Sequence, residues 1–331
     1  MWTMRAFAYG AIMASAVLVA GPVVAQSFWE RLIFGTPGSD TPQEWQMCQG
    51  KGNATIEQRI NGCTMEIANE DDKRNLAGAY ANRARAYQDR GDQDHAIQDY
   101  DQAIRNNPNL AGAYFGRGAA YTQKGAYDLA LQDYNQALKI EPSNAEAFFN
   151  RGTNYSMQGQ YDRAVADFDQ AIRLKPIFPA AFNNRCSARA KAGQLQQALA
   201  DCEEAWRQRP NDPNNLDTRA FTYLKLGQVD RALADYNAAL GLNPNLPSSL
   251  YGRGLVKLKK GDRRGATTDM ASAKSIQADI AEEFARYGSE PFPPPKPPPV
   301  AVKERQREQA PAVAPVAPAP PPVLPWPGLG K

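Results

Sequence analysis

The sequence predicts an all-α solenoid of stacked antiparallel helix hairpins, on three observations. A 34-residue period runs without a gap from Ala77 to Ile280, making six units. Glycine stands at the fifteenth residue of every unit: Gly91, Gly125, Gly159, Gly193, Gly227 and Gly261. Proline stands at the thirty-second residue of the first five, at Pro108, Pro142, Pro176, Pro210 and Pro244. A fixed period of this length sets the architecture, because one supersecondary unit is being repeated.

The units are residues 77–110, 111–144, 145–178, 179–212, 213–246 and 247–280. Position 4 is always large and apolar (Tyr80, Tyr114, Phe148, Phe182, Leu216, Leu250), and positions 20 and 27 are always alanine. Large residues at 4, 11, 24 and 28 recur at helical spacing. The mid-unit glycine breaks the chain between them, so each unit reads as two helices. Proline ends the second, because it lacks an amide donor and clashes with the preceding turn. Small residues at 8, 20 and 27 let the backbones approach. One such hairpin leaves apolar faces uncovered, and stacking supplies the core.

Segments outside the array follow from composition. Residues 1–25 combine one cation, Arg5, with an apolar run ending in Val23-Val24-Ala25, the pattern of a secretory signal cut after Ala25. The run is short for a membrane span and is broken by Gly10, Gly21 and Pro22. The mature chain is therefore expected in the periplasm or outside the cell, with no membrane span. Residues 26–40 read as a linker and 41–76 as a degenerate N-terminal hairpin. Residues 276–290 read as a capping helix, with Ile276, Ile280 and Phe284 four residues apart. From 291 to 331 the chain is proline-rich, a composition that buries no core and is expected to be disordered. It reads equally as a spacer, a ligand for an aromatic groove, or a solubilising tail.

Composition also removes function classes. Thirty-eight basic and 35 acidic residues are interspersed, net +3, with no basic tract to follow a phosphate backbone, so nucleic acid is not expected as a partner. His95 is the single histidine, which removes most Ser/His and Cys/His catalytic sites and most zinc sites. No cofactor and no metal are expected. A thiol enzyme lacks both a CxxC and a partner histidine.

The repeat resembles the tetratricopeptide repeat family in its length, small residue at 8, Tyr at 11, Ala at 20, aromatic at 24, Ala at 27 and Pro at 32. Arg189 and Lys257 depart from the tyrosine at 11, and Ala278 from the last proline, as a terminal or solvent-facing unit would tolerate. The resemblance implies a right-handed superhelix whose first helices line a concave groove for a peptide or partner protein. Carried over by position, the groove contains Asn82, Arg85, Phe115, Phe149, Asn150, Asn183, Asn184, Asn214, Phe221 and Tyr251. Asparagine amides would pair with a peptide backbone, and the aromatic rings would take apolar side chains. No three consecutive units supply the family's carboxylate clamp. The expected function is thus a non-enzymatic protein- or peptide-binding scaffold of the cell envelope. The alternative is an envelope spacer or adaptor whose proline-rich tail carries the interaction.

Two further patterns concern stability. Arginine at position 7 and aspartate at position 23 occur in all six units, a ladder expected to set register, since an arginine matched by a carboxylate is neutralised. Cys186 and Cys202 take positions 8 and 24 of the fourth unit. Aligning INGCTMEI with IQDYDQAI puts Cys63 at position 24 as well, with Cys48 one residue from position 8. The shared slots favour pairing 48 with 63 and 186 with 202, in keeping with an oxidising compartment. Positions 8 and 20 are expected to be closest, with 24 about a turn further, so each bond would strain the separation a disulfide allows.

Overall fold

The structure, a computed structural model, describes residues 43–287; the signal, the whole linker, the first two residues of the N-terminal hairpin, the last three of the expected capping helix and the proline-rich tail lie outside them. Fifteen helices and no strand occur among the described residues. The degenerate hairpin is α1 (Gln43–Cys48) and α2 (Ile56–Asn69). The six units follow as α3 (Lys73–Asp89) with α4 (Gln93–Asn106), α5 (Ala111–Gln123) with α6 (Tyr127–Ile140), and α7 (Ala145–Met157) with α8 (Tyr161–Leu174). Then come α9 (Pro179–Lys191) with α10 (Leu195–Gln208), α11 (Pro213–Lys225) with α12 (Val229–Leu242), and α13 (Pro247–Lys259) with α14 (Arg263–Ile276). The chain closes on α15 (Ile280–Arg286). The capping helix therefore begins at Ile280: Ile276 belongs to α14 and is 48% exposed, because Gln277–Asp279 turn the chain before α15 starts.

Local chemistry accounts for the boundaries. The mid-unit glycines all have φ between 73° and 86°, left-handed values that a side chain resists and that turn α3 into α4 and each later pair alike. Asp72, Asp92, Asn144, Asp212 and Asp262 cap helix N-termini by accepting from free amides. Thr55 and Gln58 form a capping box on α2. Pro179, Pro213 and Pro247 sit in first turns, where a missing amide costs nothing.

Packing gives the stack its curvature. Each first helix touches its own second helix, and each second helix touches the first helix of the next unit. First helices of neighbouring units also touch one another, whereas second helices do not. The first helices α3, α5, α7, α9, α11 and α13 are thus the closely spaced, concave side. The alanines at positions 20 and 27 are at most 1% exposed in every unit, where backbones cross.

The arginine ladder ties units as well as helices. In all six, Nε and Nη2 of the position 7 arginine donate to both oxygens of the position 23 aspartate, at 2.5–2.9 Å. The third nitrogen reaches back to position 25 of the preceding unit: Arg117 to Asp101 at 2.5 Å, Arg151 to Asn135 at 2.6 Å, Arg185 to Asp169 at 2.6 Å and Arg253 to Asn237 at 3.2 Å. Arg83 does the same to Thr64 of α2, at 3.0 Å, so α1–α2 stacks in the register of a true repeat. Arg219 instead lies over Trp206, 4.9 Å from the ring centroid.

Two expectations are corrected here. Arg189 and Lys257 are not merely tolerated: each adds a second cation to the rung of its own unit, Arg189 on Asp201 at 2.7 Å and Lys257 on Asp269 at 2.8 Å. Positions 8 and 24 are also closer than supposed. A Cβ on Gly118 would stand 3.0 Å from Tyr134, and one on Gly152 2.9 Å from Phe168, because position 24 lies directly across the crossing point. The structure joins Cys186 to Cys202 in those slots with a Cα separation of 5.4 Å, and Cys48 to Cys63 at 4.5 Å, inside the range that a disulfide spans. All four are at most 1% exposed, and loops of this length stabilise by about 3 kcal/mol in the chain-entropy model.

Candidate peptide-binding groove

The concave face divides into an open half and a covered half. Along α3, α5, α7 and α9, positions 5, 6 and 9 present Asn82, Arg85, Phe115, Phe149, Asn150, Asn183 and Asn184, all half-buried except Arg85, which is exposed. On that side α15 reaches only α9, at Ser187 and Lys191 toward its C-terminal end. Asn183 and Asn184 differ in their use. The Asn184 amide donates to Thr153 Oγ1 of the preceding unit at 3.2 Å, tying α9 to α7, while the buried Asn183 Oδ1 accepts no hydrogen bond among the described residues. An enclosed acceptor without a donor is costly, and as the side chain stands this oxygen faces away from the open groove.

The aromatic positions are partly structural. Phe149 lies 5.9 Å from the Phe168 ring and 4.9 Å from the Phe178 ring, so one face belongs to the core of its own unit. Phe115 leans on Tyr134 at 6.2 Å. Asn214 is exposed at the start of α11, where its backbone amide donates to the capping Asp212.

In the covered half, α15 lies across the concave face of the last three units. Phe221 and Tyr251, expected to be free for a partner, are 8% and 1% exposed. Phe284 of α15 packs edge-on against Phe221 at 5.7 Å and lies tilted against Tyr251 at 4.9 Å. Tyr287 is held by Lys191, whose Nζ is 4.3 Å from the ring centroid, and by the rings of Tyr161 and Phe221 at 6.5 and 6.4 Å. Lys225 donates to the Tyr287 carbonyl at 2.5 Å. Sequence reasoning placed α15 at the end of the stack. The signal that it turns inward was the apolar choice at positions 9 and 5, Phe221 and Tyr251, where the first unit has Arg85 and Ala81.

Under α15 a cavity of about 90 Å³ is lined by Ser187, Lys191, Asp217, Ser248, Glu283 and Phe284, among others. Burial pushes the Asp217 carboxyl up to about 6, with Glu283 of α15 adding to the effect. Hydrogen bonds from Ser249, at 2.5 Å, and Ser248 oppose it, as does Lys191. Burial in turn lowers the Lys191 ammonium. Among the described residues no cluster of His, Cys, Asp and Glu could hold a metal ion, and no helix is long and apolar enough to cross a membrane.

Comparisons agree with this geometry. Family models described as TPR repeat match residues 84–125, 118–159 and 220–261, and one described as Tetratricopeptide repeat matches 145–178. No curated protein sequence matches the chain. Among solved structures, PilF of Pseudomonas aeruginosa is 20% identical with a TM-score of 0.54, covering 65% of this chain and 99% of its own. A tetratricopeptide repeat protein of Parabacteroides merdae is 21% identical with a TM-score of 0.57, covering 70% and 92%. PilW, described as a widely conserved type IV pilus biogenesis factor, is 22% identical with a TM-score of 0.56, covering 63% and 97%. At these identities the likeness is one of fold.

Proposed function

The chain belongs to the tetratricopeptide repeat family, a fold that serves protein–protein interaction, and from that premise we propose that it is an envelope scaffold gripping an extended peptide in the open half of its groove. The observation that carries this reading is the row of half-buried amides and rings, Asn82, Asn150, Asn183, Phe115 and Phe149, along the concave side of the first four units. Side-chain amides grip a backbone of any sequence, and the two rings select apolar side chains. Arg85 adds a cation at the N-terminal end. Two buried disulfides and the leader pattern support an oxidising compartment, periplasmic or secreted. Cell fractionation tests the address: a mature N-terminus at Gln26 is expected.

A photo-crosslinker placed at Asn82 or Asn150 tests the groove. It is expected to capture a partner that the same probe at Arg163, on the outer helix α8, does not, and Asn150→Ala is expected to weaken capture by about 0.5–1.5 kcal/mol. Equal capture from both faces would remove the groove assignment. A second reading has the proline-rich tail as the working part, with Tyr287, the last described residue, held on the concave side by Lys191. Deleting 291–331 separates the two, leaving capture intact under the first and abolishing it under the second.

A further inference from the structure

The covered half of the groove is itself built as a binding site. Its floor is apolar where the open half is amide-rich: Phe221 and Leu224 on α11, and Tyr251 and Leu255 on α13, are all 8% exposed or less. What lies on that floor is a helix of seven residues, too short to persist alone, since isolated helices below about 12 residues are marginal in water. Its side chains point down at helical spacing. Ile280 and Phe284 are 1% and 5% exposed, and Tyr287 follows three residues on, held by Lys191 and Lys225. Only three residues, Gln277 to Asp279, join it to α14.

This is the pattern of a ligand held in place by a short tether. We propose that the concave face of units four to six is a docking site for a short amphipathic helix, filled in cis by α15 and open to a partner helix carrying the same apolar residue at i and aromatics at i+4 and i+7. A helix laid in a groove is recognised through such anchors on one face. The tether makes α15 effective through local concentration rather than through contacts alone, so a free helix of equal contacts competes only when the cis copy is weakened or the free one is in excess. The cavity left beneath α15, lined by Phe221, Phe284 and Tyr287 as well as by Ser187, Asp217 and Glu283, is space that the cis helix does not fill.

The test uses the full chain and a fluorescein-labelled peptide of residues 277–290, QADIAEEFARYGSE, followed by anisotropy. The full-length Phe284→Ala/Tyr287→Ala protein is expected to bind this peptide about tenfold or more tightly than the wild type. Adding Phe221→Ala is expected to remove that binding, and a peptide with alanine at both aromatic positions is expected to bind neither protein. No binding to the double variant, with its helicity and melting intact, would overturn the proposal; equal binding to both proteins would also overturn it, since the peptide would then sit elsewhere. If the double variant misfolds, hydrogen exchange on the wild type decides: excess peptide is expected to speed exchange of residues 280–287, and unchanged protection would overturn the proposal. Capture through a crosslinker at Asn82 reports the open half separately, so failure here leaves that reading standing.

Discussion

Replacing both partners of one rung should cost less than replacing either. Arg117 and Asp133 are the case to take. The Asp133 side chain is 6% exposed and Arg117 20%, and three hydrogen bonds join the arginine to Asp133 and to Asp101 of the unit before. The two partners shift in opposite senses. The hydrogen bond to Asp133, with help from Asp101, holds the Arg117 guanidinium more firmly charged, whereas burial pushes the Asp133 carboxyl up although the arginine pulls it down. The carboxylate decides, because it is the more enclosed group and the arginine is charged at any accessible pH. A carboxylate that loses more to desolvation than it gains from its partner belongs to a pair that apolar groups can replace at little cost. Arg117→Met leaves Asp133 enclosed alone, and Asp133→Leu leaves Arg117 with Asp101 only; each is expected to cost about 2–3 kcal/mol, below the range for fully buried pairs because the arginine is partly solvated. The double variant is expected to cost about 1 kcal/mol, a coupling of about 3 to 5 kcal/mol. Repeat arrays unfold unit by unit, so the measurement is hydrogen-exchange protection of α5 and α6 beside urea unfolding followed at 222 nm. Additive losses would refute the reasoning, showing that the rung stabilises the fold outright.

The Asp217 carboxyl, pushed up to about 6 by burial, faces Lys191 from α9, Tyr236 from α12, Ser248 and Ser249 from α13, and Glu283 from α15. A raised folded value favours the protonated state, so its contribution is full below about pH 4 and is lost as pH rises through about 6, by at most about 3 kcal/mol. Exchange of residues 280–287 is expected to quicken between pH 4.5 and 7 in the wild type and to lose that dependence, beyond the intrinsic chemistry of exchange, in Asp217→Asn; an unchanged dependence would contradict it. Gly252→Ala sets a Cβ 2.3 Å from the Tyr236 hydroxyl, on a ring 0% exposed, and is expected to cost about 1–3 kcal/mol, whereas Gly241→Ala on α12 meets nothing within 4 Å and is expected to gain about 0.5 kcal/mol. Melting curves shifted in the same direction by both would contradict the packing assigned to Tyr236.

The architecture was legible because each of its determinants is local and recurs. A glycine that must take positive φ, a proline that cannot continue a helix and an alanine where two backbones cross each occupy one position, and six copies make the pattern unmistakable. The ladder was legible as a match of charges but not as geometry, since no spacing rule says that the third guanidinium nitrogen reaches position 25 of the unit before. For the same reason Arg189 and Lys257 read as departures, although each strengthens a rung. The groove was legible by position only. What a position-by-position reading cannot see is a contact between elements far apart in the chain, and α15 against Tyr161 and Lys191 is such a contact.

That same contact explains why the two halves of the groove differ in chemistry. A surface covered by its own chain has no need to stay wettable, and Phe221, Leu224, Tyr251 and Leu255 give an apolar floor that would be a liability if left exposed. A surface that stays open in the free protein must hold its ligand with groups that water also satisfies, and Asn82 and Asn150 meet that requirement while Phe115 and Phe149 tuck part of each ring into the core. The boundary falls at α9, where the Asn184 amide ties back to α7 and Lys191 reaches forward to Tyr287. A change there, Lys191→Ala for example, should loosen α15 without touching the open half, so protection of residues 280–287 and capture at Asn82 should separate in that one variant. If both fell together, the two halves would be a single site, and α15 would be part of its wall rather than its occupant.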